Sequence, residues 1–187
     1  DPQCANAANA TDKAGEPVFL PYLRDPETLA RPWAIPGTAG LQHRIGGIEK
    51  AKDTGEVSYD PANHEQMVRT RHAKINGIVQ DIPDLTVDDP ADSKGRHARV
   101  LVLGWGSTYG PIVAAARRVR KTGRLIAYTH LRHLNPFPAN LGEILRSYER
   151  VIVPEMNLGQ LALLLRAKYL VDVHSYSRVR GLPISLS

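Results

Sequence analysis

One cysteine, Cys4, is all the thiol that 187 residues contain. A lone thiol excludes an internal disulfide and any four-thiolate zinc or iron–sulfur centre built from this chain. Any redox metal would therefore have to come from a partner. Aromatic side chains are scarce, at 6%, and the basic residues are not interleaved with them in a dense block. No helix-turn-helix, zinc-finger or aromatic RNA-binding signature is present, which argues against a nucleic-acid partner. There is no run of about 18 apolar residues and no charged-then-apolar leader. A membrane association has no support, and a cytoplasmic location is the expectation. The sequence opens on Asp1 rather than Met, and "DPQCANAANATDKAGEP" reads as loop. The chain is expected to be part of a longer polypeptide, with Cys4 in a disordered start.

Acid is scarce in one half only. Before residue 96, ten Lys/Arg face fifteen Asp/Glu; from 96 onward, fourteen face four. The net charge of +5 conceals that division. A basic half suits an anionic partner, whether coenzyme, acidic protein or nucleic acid, and suits equally a solvated basic face.

The length allows one good-sized core, or one domain with a long arm. Residues 1–59 are proline- and glycine-rich, and Pro26, Pro32 and Pro36 bias their neighbours away from helix. An extended arm is predicted. Trp33, Ile35, Leu41, Ile45 and Ile48 make it too apolar for a free linker, so it should pack over a surface or lie in an interface. At residue 60 the pattern turns helical. Asp60 is a candidate N-cap with Pro61 at the first helical position, and Met67, Val68, Ile75, Ile78 and Val79 recur at helical spacing until Pro83. The acidic "TVDDPADSKG" then reads as a linker, so residues 60–95 are expected to be a helix and linker.

Residues 96–187 alternate regularly between strand-like and helix-like segments: "ARVLVLGW", "GPIVAAARRVRK", "RLIAYTHL", "NLGEILRSY", "RVIVPEM", "GQLALLLRAKY" and "VDVHSYS". The order β-α-β-α-β-α-β predicts an α/β fold with a mostly parallel sheet and helices on both faces.

Four groups of residues invite a functional reading. "LGWGSTYGP" places Gly104, Gly106 and Gly110 between a strand and a helix, where backbone amides can approach a phosphate. Its spacing is G-x-G-x-x-x-G, however, and "AYTHLRH" carries no acid at the place where a ribose would be held. A tight turn with Ser107 or Thr108 capping a helix that begins at Pro111 is the stronger reading. His130 and His133 leave a strand for a proline-rich loop with no Asp, Glu or Cys beside them, which suits satisfied or surface histidines better than a metal. Glu155, at the end of the third strand, is either a general base or, in preference, a helix-capping or interface carboxylate. Arg31, His43 and Arg44 lie in the proline frame of the arm. A rigidly held arginine suits a carboxylate, or equally an ion pair with a neighbouring domain. No Ser-His-Asp or Cys-His constellation is legible.

Taken together, "RPWAIPGTAGLQHRIGGIEKAKDTGEVSYDPANHEQMVRTRHAKI", "VLGWGSTYGPIVAAAR", "HLRHLNPFP" and "VPEMNLGQLALLLRAKYLVD" resemble, in that order, the C-terminal part of the alpha subunit of 2-oxoacid:ferredoxin oxidoreductases. The likeness is greatest to the 2-oxoglutarate enzymes of actinobacterial type and runs from about Phe19 to Pro183. It implies that residues 96–187 form a transketolase C-terminal-like domain, with the arm leading from a preceding pyrimidine-binding domain. It further implies an enzyme using thiamine diphosphate, Mg2+, a [4Fe-4S] cluster and coenzyme A to decarboxylate a 2-oxoacid and reduce ferredoxin. The partners implied are the upstream alpha domains, a beta subunit that carries the cluster, and ferredoxin, in an alpha2beta2 assembly. No catalytic, cofactor-binding or metal-binding residue is implied in this segment, whose part is structural. Arg31, His43 and Arg44 are the candidates for approaching the substrate. Another thiamine enzyme, a transketolase or 2-oxoacid dehydrogenase component, and a free-standing anion-binding α/β module are the alternatives.

Overall fold

The computed structural model describes residues 4–184. Its contacts divide the chain into two compact units, Asp1–Ile78 and Val79–Ser187.

In the first unit the predicted loop-like start is corrected: from Cys4 onward the chain forms small regular elements. Strand β1 (Cys4–Ala5), β2 (Ala10–Thr11), β3 (Pro17–Val18) and β4 (Trp33–Ala34) make two two-stranded sheets, β1 parallel to β4 and β2 antiparallel to β3. Side-chain amides supply order where apolar residues are few. The Asn9 amide donates to the Leu20 carbonyl at 2.9 Å and accepts the Leu20 N–H at 2.7 Å, fastening the second sheet from outside. Helix α1 (Pro61–Gly77) starts as its sequence requires, with the Asp60 carboxylate accepting the Ala62 N–H at 2.9 Å and Pro61 in the first turn. A 3-10 turn, Ile78–Asp81, ends it before Pro83.

The predicted apolar face of α1 needs correction. Met67 is buried, but Val68, Ile75 and Ile78 remain about 40% exposed. The arm behaves in the same way: Leu41 is buried, whereas Trp33, Ile35, Ile45 and Ile48 face solvent. Helical and extended geometry are both satisfied locally here, and nothing among the described residues of this unit covers these apolar side chains.

The second unit has the predicted α/β order. Strand β5 (Val100–Trp105), helix α2 (Tyr109–Arg120), β6 (Ala127–Leu131), α3 (Leu141–Ser147), β7 (Arg150–Glu155), α4 (Gln160–Tyr169) and β8 (Val173–Ser177) follow in turn. All strand pairs are parallel, in the order β6-β5-β7-β8. Leu101, Leu103, Val151, Val153 and Val173 alternate along the strands toward one face, where Leu141 and Leu145 of α3 and Leu161 and Leu165 of α4 complete a core almost without solvent exposure. Ile112, Val113 and Ala116 are the buried side of α2. From the central strand β5 the chain crosses to β6, then returns past β5 to β7. This reversal makes a topological switch point between β5 and β7, the place where open α/β sheets most often hold ligands. The ladder there stops early, at Val102 opposite Ile152, while β5 pairs with β6 as far as Trp105 and Leu131.

Candidate functional site

The carboxyl edge of the parallel sheet gathers most of the sequence candidates. At the end of β5, Gly106 (φ 58°) takes the left-handed conformation that opens the turn. Gly104 is required for close approach: a Cβ there would lie 2.4 Å from Ile112 Cδ1, 2.9 Å from His130 Nδ1 and 3.0 Å from Thr108 Oγ1. Gly110 has open space around it. The expected helix cap is corrected. Helix α2 starts at Tyr109 rather than Pro111, and no side chain caps it. The buried Thr108 hydroxyl instead donates to the Trp105 carbonyl at 2.8 Å and accepts the Trp105 N–H at 3.1 Å, locking the 3-10 turn Gly106–Thr108. The Ser107 hydroxyl lies 3.7 Å from Met156 Sδ, across the switch point.

Glu155 ends β7 with no solvent exposure. Its two oxygens accept the Leu161 N–H at 2.9 Å and the Ala162 N–H at 3.1 Å. It is a capping carboxylate for α4, placed where the helix dipole and unpaired amides favour negative charge. Asn157 shapes the loop between them, its carbonyl accepting from Gly159 N at 2.8 Å and Gln160 N at 3.0 Å.

Beside the β6 edge lies a cleft of about 680 Å³ whose wall includes Asp84, Tyr109, Tyr128, His130, Arg132 and His133. One side is a strap, held along β6 by reciprocal bonds between Asp88 and Tyr128: Asp88 N–H to Tyr128 O at 2.9 Å and Tyr128 N–H to Asp88 O at 3.1 Å. Arg120 rivets the strap. Its guanidinium pairs with the Asp88 carboxylate at 2.6 Å and donates to the Asp88 and Ile126 carbonyls at 2.9 and 2.7 Å. The predicted histidine pair, His130 and His133, therefore meets in one wall. The Tyr109 ring stands edge-on to His130, centroids 5.2 Å apart. Burial, and after it the nearby Arg132 charge, holds the His130 imidazole below its ordinary value, against an opposing hydrogen bond to the Gly106 backbone. His130 Nδ1 is itself buried without a partner. Among the described residues no group of three or more His, Cys, Asp or Glu is placed to hold a metal ion.

The arm candidates lie in the first unit. The Arg31 guanidinium sits 4.1 Å above the Tyr22 ring, a cation–π contact. His43 Nδ1 is 2.8 Å from the Leu41 carbonyl, and its ring is 5.2 Å from that of Phe19. Arg44 is exposed. Among the described residues no ion pair or hydrogen bond joins these three. Sequence reasoning missed Arg24, whose Nε is buried without a partner while its Nη1 donates to the Leu29 carbonyl at 2.8 Å. Burial, followed by the charges of Arg31 and Arg71, pulls its pKa down. It also missed Tyr109, Arg132 and Asp84. The run "YTHLRHLNPFP" at a strand end carries Arg132 and the turn "GSTYGP" carries Tyr109, but only the strap brings Asp84 opposite them.

This arrangement is a parallel α/β domain whose candidate groups cluster at the carboxyl edge, and its relatives place it further. Residues 98–183 match the pyruvate:ferredoxin oxidoreductase core domain II. The chain is 60% identical over 169 residues to 2-oxoglutarate oxidoreductase subunit KorA of Mycobacterium tuberculosis, a match covering 90% of this chain and 25% of that subunit. It is 35% identical to the alpha subunit of 2-oxoacid:ferredoxin oxidoreductase 2 of Aeropyrum pernix, over 75% of this chain and 22% of that one. The structure matches a 2-oxoglutarate:ferredoxin oxidoreductase from Magnetococcus marinus, solved with 2-oxoglutarate, coenzyme A and succinyl-CoA bound. The TM-score is 0.78 at 30% identity, covering 95% of this chain and 30% of that one. The chain is thus similar to one part of the 2-oxoacid:ferredoxin oxidoreductase alpha subunits, and the family match falls within its second unit. It spans about a quarter of the length of the curated relatives it matches. No helix among the described residues is long and apolar enough to cross a membrane.

Proposed function

We propose that the chain is part of the alpha subunit of a cytoplasmic 2-oxoglutarate:ferredoxin oxidoreductase. The reaction converts 2-oxoglutarate, coenzyme A and two oxidised ferredoxins to succinyl-CoA, CO2, two reduced ferredoxins and a proton. The observation that carries this reading is the 60% identity to the mycobacterial subunit over 90% of the chain. Bound elsewhere in such an enzyme, thiamine diphosphate with Mg2+ would supply the carbon nucleophile for the 2-oxo group, and an iron–sulfur cluster would supply a one-electron carrier. Four thiolates for such a cluster do not fit this chain, whose lone cysteine is exposed. A beta subunit holds the cluster in the reading proposed here, within an alpha2beta2 assembly.

The chain's own contribution is an assembly domain with an arm. Its arm side chains Trp33, Ile35 and Ile48 are exposed in the isolated chain, as apolar surface destined for contact with the rest of an enzyme would be. Arg31, fixed over Tyr22, is the arm residue best suited to meet a dicarboxylate, with His43 and Arg44 following it in the arm. Viologen reduction by the protein purified with its native partners tests the whole reading. Reduction should require both 2-oxoglutarate and coenzyme A; a cluster-loaded complex that stays silent would overturn it. If Arg31→Ala left both the Michaelis constant for 2-oxoglutarate and the turnover unchanged, the arm assignment would fail separately.

A further inference from the structure

We propose that the cleft between the 83–88 strap and the end of β6 binds a nucleoside phosphate, with its base against Tyr109 and Tyr128, its ribose on Asp84 and its phosphate on Arg132 and His133. The volume, about 680 Å³, lies within the range of about 300–1,000 Å³ typical of small-molecule and cofactor sites. The lining decides the chemical class. Arg132 and His133 are exposed cationic or donor groups that make no ion pair or hydrogen bond with the described residues, and Asp84 on the facing wall is likewise exposed and unpaired. The second acid of the wall, Asp88, is already neutralised by Arg120 at 2.6 Å.

A simple dicarboxylate would gain from Arg132 but be repelled by Asp84. An apolar ligand would strip water from all three polar groups without replacing it. A nucleotide uses each of them: a carboxylate accepts from ribose hydroxyls, a guanidinium binds phosphate through paired donors, and aromatic rings take the base. The wall is also built in advance. Arg120 bonds the strap to the sheet, and the T-shaped contact at 5.2 Å between His130 and Tyr109 sets the ring at the cleft mouth. A ligand there would not have to order its own site.

Two sources carry this chemistry, a free nucleotide and the nucleotide end of a coenzyme such as coenzyme A. The test is photolabelling of the complete purified protein, with its partner subunits, by 8-azidoadenosine 5′-monophosphate, followed by peptide mapping. Saturable labelling is expected on the peptides bearing Tyr109 or Tyr128, protected by AMP. Arg132→Ala combined with His133→Ala should raise the half-saturating concentration at least about tenfold, as expected for lost charge-assisted phosphate contacts, and Asp84→Asn should raise it to a smaller extent. Protection of this label by coenzyme A as well as AMP assigns the coenzyme's nucleotide end; protection by AMP without coenzyme A assigns a free nucleotide. Labelling that is unsaturable, maps elsewhere or ignores the three substitutions overturns the proposal. Because labelling needs no turnover, its outcome is separate from that of the viologen assay.

Discussion

Glu155 and Leu161 are joined by a completely buried charge-assisted bond, carboxylate oxygen to backbone N–H at 2.9 Å, with Ala162 taking the second oxygen at 3.1 Å. Both amides belong to the first turn of α4, where unpaired N–H groups and the helix dipole favour a carboxylate. Glu155→Ala leaves two buried donors unpaired and should cost about 2–3 kcal/mol of stability. Glu155→Gln keeps one acceptor and should cost less. Chemical denaturation of the three proteins checks the order. Turnover per folded complex should be the same in all three, since a carboxylate with no solvent exposure is out of a substrate's reach.

The glycines of "GWGSTYG" should respond with opposite signs. Gly104→Ala drives a methyl into Ile112, His130 and Thr108 at 2.4–3.0 Å. Ile112 can turn its terminal methyl away, but the imidazole and the locked Thr108 cannot easily follow, and overpacking of this kind costs about 1–3 kcal/mol. Gly110 lies in the first turn of α2 with nothing within 4 Å of its added Cβ. Gly110→Ala should therefore be neutral or stabilise by up to about 1 kcal/mol. Thermal unfolding of the two variants separates a turn built for backbone proximity from glycines kept for a ligand.

How legible each part was follows from the range of the interactions behind it. The β-α-β alternation of the second unit was readable because each strand buries its own alternating residues, Leu101 and Leu103 or Val151 and Val153, and each helix its own stripe. The cap at Asp60 was readable because it acts two residues away on Ala62. Thr108 was misjudged for the same reason of range: the sequence shows a hydroxyl before a helix, while the choice of Trp105 over the helix amides depends on how β5 ends. Val68 and Ile75 have helical spacing whether or not anything covers them, so periodicity overstated their burial. The cleft was invisible, since the strap that bears Asp84 and Asp88 reads as an acidic linker until the Asp88–Tyr128 bridge lays it along β6.

Arg120 is the rivet of that bridge, and removing it should loosen the strap locally. Arg120→Ala deletes bonds to the Asp88 and Ile126 carbonyls and the ion pair with the Asp88 carboxylate, at a cost of about 1–3 kcal/mol. Hydrogen exchange offers the specific readout. The Asp88 and Tyr128 amides, which bond each other's carbonyls, should exchange faster in the variant, whereas the Val102 and Val151 amides of the central strands should keep most of their protection. Uniform acceleration across the sheet would mean that Arg120 supports the whole unit rather than the strap.

Glu49 gives the first unit a defined acid sensitivity. Its carboxylate meets the His64 imidazole and, at 3.4 Å, the Arg71 guanidinium, joining the segment before α1 to the helix itself. The His64 bond is the main cause that lowers its pKa to about 2 from an ordinary 4.5, with burial opposing and Arg71 adding to the fall. A depressed carboxylate pKa means that the unfolded chain binds the proton first as pH drops. The stabilisation is thus fully present above about 4.5, shrinks below it, and is lost as the pH passes through about 2. Melting temperatures of wild type and Glu49→Gln, measured from pH 7 down to pH 2, should differ most at the neutral end and converge at the acid end. Parallel curves across that range would show that the Glu49–His64–Arg71 contact contributes nothing to acid sensitivity.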